Sequence, residues 1–178
     1  MLRFAEANDT AVSVLPEDER VQRGESVPGK DEYMWDAQSP GVLQLPSGSV
    51  VRGRALRDPM PDGPSPDFGV YLQGRDPGGF DWDSRWVRWP DFWLPSDSAG
   101  LEVFLREVLR RCGTERVEIA CTGGVGRTGT ALACLVALDG TTGSAAVDYV
   151  RRNYSHRAME TPWQKRFAKR FVKPGPLL

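Results

Sequence analysis

EIACTGGVGRTGTALACL, Glu118 to Leu135, is the stretch that decides the fold. An apolar run leads into a glycine-rich turn, and a second apolar run with helical texture follows. Backbone N–H groups at a helix start have no intrahelical partners, so such a turn is suited to hold an anion. Three templates compete for the same letters. Gly124, Gly126 and Gly129 satisfy the dinucleotide pattern G-x-G-x-x-G. The nucleoside-triphosphate loop would need glycine at Cys121 and lysine at Arg127, so it fails at both. A thiolate loop, Cys-(x)5-Arg-[Ser/Thr], is met by Cys121, Arg127 and Thr128.

Context separates them. A dinucleotide fold opens with its glycines and continues through further strands. Here they follow several strand-like segments, and the residues after them read as helices. A nucleotide hydrolase needs its lysine and a carboxylate on a later apolar strand to hold magnesium, and no later segment offers one. The thiolate template fits position by position. A phosphoester is doubly charged, so its oxygens must be held while a nucleophile approaches. Successive N–H groups over Thr122, Gly123, Gly124, Val125, Gly126 and Arg127 can form a nest around them. The forked guanidinium of Arg127 adds a permanent charge that lysine could not reproduce. The same donors stabilise a thiolate at Cys121. With these charges supplied by the chain, neither a metal nor another cofactor is expected.

The 178 residues, 40% hydrophobic, suffice for one core. A formal net charge of −1 argues against a nucleic-acid binder. Charge is uneven: residues 1–36 carry nine acidic and four basic side chains, whereas 151–173 carry eight basic and one acidic. The basic stretch reads as a solvated helix face, with attraction of an anionic substrate as the second reading. The longest apolar run, Ala131 to Leu138, is too short for a membrane span. MLRFAEANDT lacks the apolar centre of a secretion signal, and three cysteines make no disulfide framework. A cytoplasmic protein, monomeric by default, is expected. The lone histidine, His156, has no motif around it.

Residues 1–32 are polar, acidic and aperiodic and read as a flexible extension. The domain is expected over 33–173, with a tail over 174–178. LQLPSGSVVRGRAL places Pro46-Ser47-Gly48 between β-prone runs, predicting a hairpin. FGVYLQG and RWVRWP predict two further strands. Over 97–112, Leu101, Phe104, Leu105, Val108 and Leu109 recur at helical spacing, with Ser98 able to cap the start. VEIA (117–120) predicts a buried strand, and helices are expected over 127–138, 142–153 and 162–172. Strands first, then helices, with one central strand–loop–helix unit, predict an α/β protein: a mixed central sheet flanked by helices.

CTGGVGRTG resembles the signature loop of the cysteine-dependent protein tyrosine and dual-specificity phosphatases. A second motif upstream, WPDFWLP (Trp89 to Pro95), resembles the mobile Trp-Pro-Asp loop of the tyrosine-specific branch. A third, ETPWQKRF (160–167), is similar to the glutamine-bearing loop of that family. The resemblance covers about residues 40–172 and has the look of a small bacterial-type member. It implies Cys121 as nucleophile, Arg127 and the loop amides as phosphate clamp, Asp91 as general acid, Thr128 as donor to the departing sulfur, and Gln164 as the group that orients the hydrolytic water. The substrate it implies is a phosphorylated protein: phosphotyrosine first, with phosphoserine or phosphothreonine as a second class.

Each residue also has a plain structural reading. Asp91 follows a proline and suits a turn. Thr161-x-x-Gln164 is a capping box. Trp82, Trp86, Trp89 and Trp93 read as packing, with Trp89 a hinge. Ala120 stands where the family places a histidine, so control of the thiol would fall to the amides and Arg127. A phosphate-binding adaptor of the same fold without turnover is therefore the alternative function. The loop residues carry no lysine of the kind phosphoinositide-directed relatives use.

Overall fold

The computed structural model describes residues 34–172; the extension expected over 1–32 and the tail over 174–178 lie outside them. The strands are β1 (Val42–Gln44), β2 (Val50–Ala55), β3 (Phe68–Gln73), β4 (Asp83–Arg88) and β5 (Val117–Cys121). The helices are α1 (Ser98–Arg111), α2 (Gly126–Leu138), α3 (Ser144–Asn153) and α4 (Pro162–Arg170). Sheet order is β1-β2-β5-β3-β4. The β1–β2 hairpin is antiparallel, as Pro46-Ser47-Gly48 predicts, and every other pairing is parallel.

β5 is central because every one of its residues is buried. Along a strand, side chains alternate between faces. Val117, Ile119 and Cys121 join Val51, Val70 and Leu72 in the apolar core. On the helix side that core receives Leu101, Leu105 and Val108 from α1, and Ala146, Val147 and Val150 from α3. Burial of each leucine or valine is worth about 1.5–3 kcal/mol. α2 is buried from Gly126 through Ala137, so the helix that starts at the glycine turn is pinned by the core on nearly every side. Position, not flexibility, is what the core confers on the loop before it.

The opposite face of the sheet is polar at its centre. Glu118 is fully buried and accepts from Arg52 Nε at 3.0 Å and Arg54 Nε at 3.0 Å. Trp35 stacks over the Arg52 guanidinium at 3.8 Å. Two cations on one carboxylate satisfy a charge that burial alone would make costly. Tyr71 adjoins this cluster, with Phe80 stacked on its ring at 3.8 Å. Burial, then the Glu118 charge, pushes its phenol up to about 12, so it stays protonated.

Boundaries follow local chemistry. Asp97, not Ser98, caps α1: its side chain accepts from Gly100 N at 2.8 Å. An aspartate one residue earlier reaches the same orphan amides with a full charge. α4 begins at a complete capping box between Thr161 and Gln164, with Pro162 in its first turn. The tryptophans do not form one packed cluster: Trp89 is buried, whereas Trp86 and Trp93 are exposed. His156 lies exposed in the turn after α3. Among the described residues no helix is long and apolar enough to cross a membrane.

Candidate active site

Cys121 is the last residue of β5 and is 2% exposed. The chain then turns through 122–125 into α2, whose N-cap, Val125, offers no side chain to the first-turn amides. Those N–H groups are left for a ligand.

The turn is held from outside by its carbonyls. Cys121 O accepts from Leu56 N at 2.9 Å, and Thr122 O from Arg57 N at 3.2 Å. Gly124 O accepts from the Tyr154 hydroxyl at 2.6 Å. Val125 O accepts from Gly129 N at 3.1 Å and Met159 N at 3.3 Å. The peptides are trans, and in a planar trans peptide the N–H points opposite to the C=O. Carbonyls drawn outward therefore turn the N–H groups of Thr122, Gly123, Val125 and Gly126 inward. Gly124 N is the exception, since it closes onto Cys121 O at 3.3 Å. Gly124 has φ +66°, and a side chain there would strike Ala55 N. Only glycine fits that corner.

Arg127 lies in the first turn of α2 and is 3% exposed. Its guanidinium donates to Trp89 O at 3.1 Å and to Thr122 Oγ1 at 3.2 Å, and pairs with Asp91 Oδ1 at 3.0 Å. One side chain thus joins the 122–126 turn to the 89–95 loop. The Thr122 hydroxyl in turn donates a hydrogen bond to Gln73 Oε1 at 3.0 Å. Thr128 is fully buried, and its hydroxyl has no hydrogen-bond partner among the described residues.

The 89–95 loop is anchored at several points. Trp89 is buried, and its indole donates to Trp93 O at 2.9 Å. Trp163 donates from α4 to Phe92 O at 2.6 Å. Asp91, between these anchors, has a side chain 58% exposed. Two other aspartates within reach in sequence are occupied. Asp97 caps α1, and Asp83 pairs with Arg111 at 3.0 Å.

Gln164 is fully buried, and both halves of its capping box are formed. Its Nε2 lies 3.5 Å from Trp93 O, too long for a strong bond. Glu160 is exposed, with its carboxylate standing against Gly126. The structure therefore brings together Cys121, Arg127, Thr122 to Gly126 and Asp91. Thr128 lies in the same turn of α2, and Gln164 reaches the site's edge while serving its own helix.

Sequence reasoning missed Gln73, Trp163 and Tyr154, as well as Arg57, whose guanidinium lies beside Gly123 at the rim. For Tyr154 there was one signal. Gly53 interrupts a strand, and glycine in a strand interior marks close approach by another group.

A fold of mixed sheet and helices with a Cys-(x)5-Arg turn defines a class, and comparison with known proteins agrees with it. Residues 91–174 match the family described as Swiss Army Knife protein, DSP-PTPase phosphatase domain. The crystal structure of Tk-PTP in its active form superposes with a TM-score of 0.52 at 28% identity, over 59% of this chain and 77% of that one. A mutant form of Tk-PTP gives 0.51 at 26%, over 59% and 75%. An uncharacterized protein of Methanocaldococcus jannaschii is 29% identical, over 61% of this chain and 78% of its own. These likenesses support a member of the cysteine-based protein tyrosine and dual-specificity phosphatase superfamily.

Proposed function

We propose that this protein hydrolyses phosphotyrosine in proteins through a phosphocysteine intermediate. The observation that carries this reading is the position of Arg127, buried in the first turn of α2 and bonded to both the turn that follows Cys121 and the loop that bears Asp91. A phosphoester dianion entering the turn competes with Asp91 for the guanidinium. As the oxygens take the fork, the carboxyl is left at the mouth of the site, where the leaving oxygen emerges.

In the first step the Cys121 thiolate attacks phosphorus in line, the phosphorus–oxygen ester bond breaks, and Asp91 gives its proton to the departing phenol. In the second step water attacks the phosphocysteine, Asp91 takes the water's proton, and the thiolate leaves with phosphate released. Charge on the transferring oxygens is met by preorganised amides and Arg127 throughout. The hydroxyl of Thr128, which has no partner among the described residues, has a hydrogen bond to give to the sulfur as charge returns to it. Gln164, loosely held at Nε2, borders the path of the hydrolytic water. Phosphoserine and phosphothreonine form a second substrate class, since their shorter side chains need a shallower approach.

The test is turnover of a phosphotyrosine peptide in excess chelator, with acid quench during steady state. Acid-stable phosphate recovered on Cys121 is the expected result. Phosphate bound without turnover at any pH would establish the adaptor instead. Inositol phospholipids, run beside the peptide, should be poorer substrates, and a clear preference for them would overturn the protein-substrate assignment.

The other two thiols should take no part. Burial, then the Asp139 charge, pushes the Cys112 thiol up to about 12, and burial raises Cys134 well above its ordinary value. Thiolate is the form that reacts with alkylating agents and peroxide. Iodoacetamide on the folded protein should label Cys121 first, with loss of turnover in step with labelling. Labelling of Cys112 or Cys134 ahead of Cys121 would contradict an activated nucleophile.

A further inference from the structure

The 122–126 turn is fixed from outside by backbone donors at Cys121, Thr122 and Val125, but at Gly124 the donor is a side chain. We propose that Tyr154 is a positioning residue of the phosphatase site: its hydroxyl holds the Gly124–Val125 peptide so that the Val125 N–H faces the phosphate. This rests on the phosphatase reading and deepens it, because it names what replaces a bracing group at Ala120.

The geometry is built for this contact. Gly124, at φ +66°, abuts the backbone of Arg54 and Ala55 and has no side chain to stop its peptide from rotating. Tyr154 follows the last turn of α3, where its own N–H continues the helix by donating to Val150 O at 2.9 Å. Its ring crosses β2 at Gly53, where a Cβ would come within 2.6 Å of the ring atoms. Gly53 thus opens the path by which the phenol reaches the underside of the turn, 30 residues away in sequence. The phenol is held in its protonated form by burial, then by the charges of Cys121 and Glu118. It therefore donates at every working pH, and Gly124 O accepts. Without that donor the carbonyl is free to swing inward, which would bring oxygen instead of N–H toward an anion.

The role differs from that of an acid or a substrate contact in what it predicts. An oriented amide acts on the phosphoryl oxygens, whatever the leaving group. Tyr154→Phe keeps the ring over Gly53 and removes only the hydroxyl. It should weaken binding of inorganic phosphate and of vanadate and lower kcat/KM by a common factor of roughly tenfold to a hundredfold, below the 10²–10³ seen when an oxyanion donor is removed altogether. The factor should be the same on a phosphotyrosine peptide and on nitrophenyl phosphate, with the shape of the pH profile unchanged. A merely structural loss would instead lower the number of sites titrated by vanadate and leave the affinity of the remainder intact. Gly53→Ala, which displaces the ring with the hydroxyl still present, should reproduce the signature.

Phosphate affinity and kcat/KM within twofold of wild type for Tyr154→Phe would overturn the proposal, as would a loss confined to the peptide. Either result is distinguishable from failure of the phosphatase reading, which would appear in the wild-type protein as an absence of turnover.

Discussion

Replacing Arg127 by lysine should lower kcat on phosphotyrosine peptide and on nitrophenyl phosphate alike, by about 10³–10⁵, the worth of an arginine on a transferring phosphoryl group in other enzymes. The charge is conserved in this substitution, so the size of the loss measures geometry. Lysine is a point charge on a flexible stem, whereas the guanidinium is a rigid fork with five donors. Arg127 uses that fork on Trp89 O, Thr122 Oγ1 and Asp91 at once, at 3.1, 3.2 and 3.0 Å. An ammonium at this depth would keep one of these partners and drop the rest. Phosphate affinity should fall together with kcat, since the same fork is expected to grip ground state and transition state. Near-ultraviolet circular dichroism checks that the fold persists, because the side chain is buried. A folded lysine variant within tenfold of wild type would mean that the turn amides alone carry the phosphoryl charge, and Arg127 would then be a loop anchor.

The elements around this site were legible in the sequence because their signals are local. The spacing of Leu101, Leu105 and Val108 gives α1, the unbroken apolar run gives α2, and Pro46-Ser47-Gly48 gives the hairpin. The cap of α1 was misplaced by one residue, since Asp97 and Ser98 are both cap formers and only geometry selects between them. The strand–turn–helix unit that carries Cys121 and Arg127 was legible for a similar reason: an apolar strand, a glycine-rich turn and an apolar helix follow one another directly, with Cys121 ending β5 and Arg127 in the first turn of α2. What encloses the turn was not legible. Leu56 and Arg57 act through main-chain N–H groups, which any residue but proline supplies. Gln73 and Thr122 are 49 residues apart, and nothing in either neighbourhood marks the pairing. The same holds for Trp163, whose indole finds a carbonyl of the 89–95 loop 71 residues away. Such contacts are set by the sheet order, with β5 placed between β2 and β3, and that order has no local signature.

Asp91→Asn should lower kcat on the phosphotyrosine peptide by roughly 10²–10⁴, the range of general acid catalysis. A proton on the leaving oxygen matters in proportion to how poorly that oxygen departs. Tyrosine's phenol has a pKa near 10, so expelling it unprotonated is costly. A nitrophenol is far more acidic and leaves with little help, so the loss on its ester should be much smaller where phosphocysteine formation limits the rate. The ion pair with Arg127 adds a sign that no turn residue would give. At 3.0 Å the carboxylate competes with an incoming dianion for the guanidinium, and asparagine removes that competition while keeping the shape of the loop. Phosphate should therefore bind at least as tightly to the variant as to wild type while turnover collapses. The two effects run in opposite directions, which separates loss of the acid from loss of the loop. A variant with near-normal kcat on the peptide would return Asp91 to the role of a turn residue. Asp97 and Asp83 are already engaged in a helix cap and an ion pair, so the search for the acid would pass to Glu160, whose carboxylate stands against Gly126.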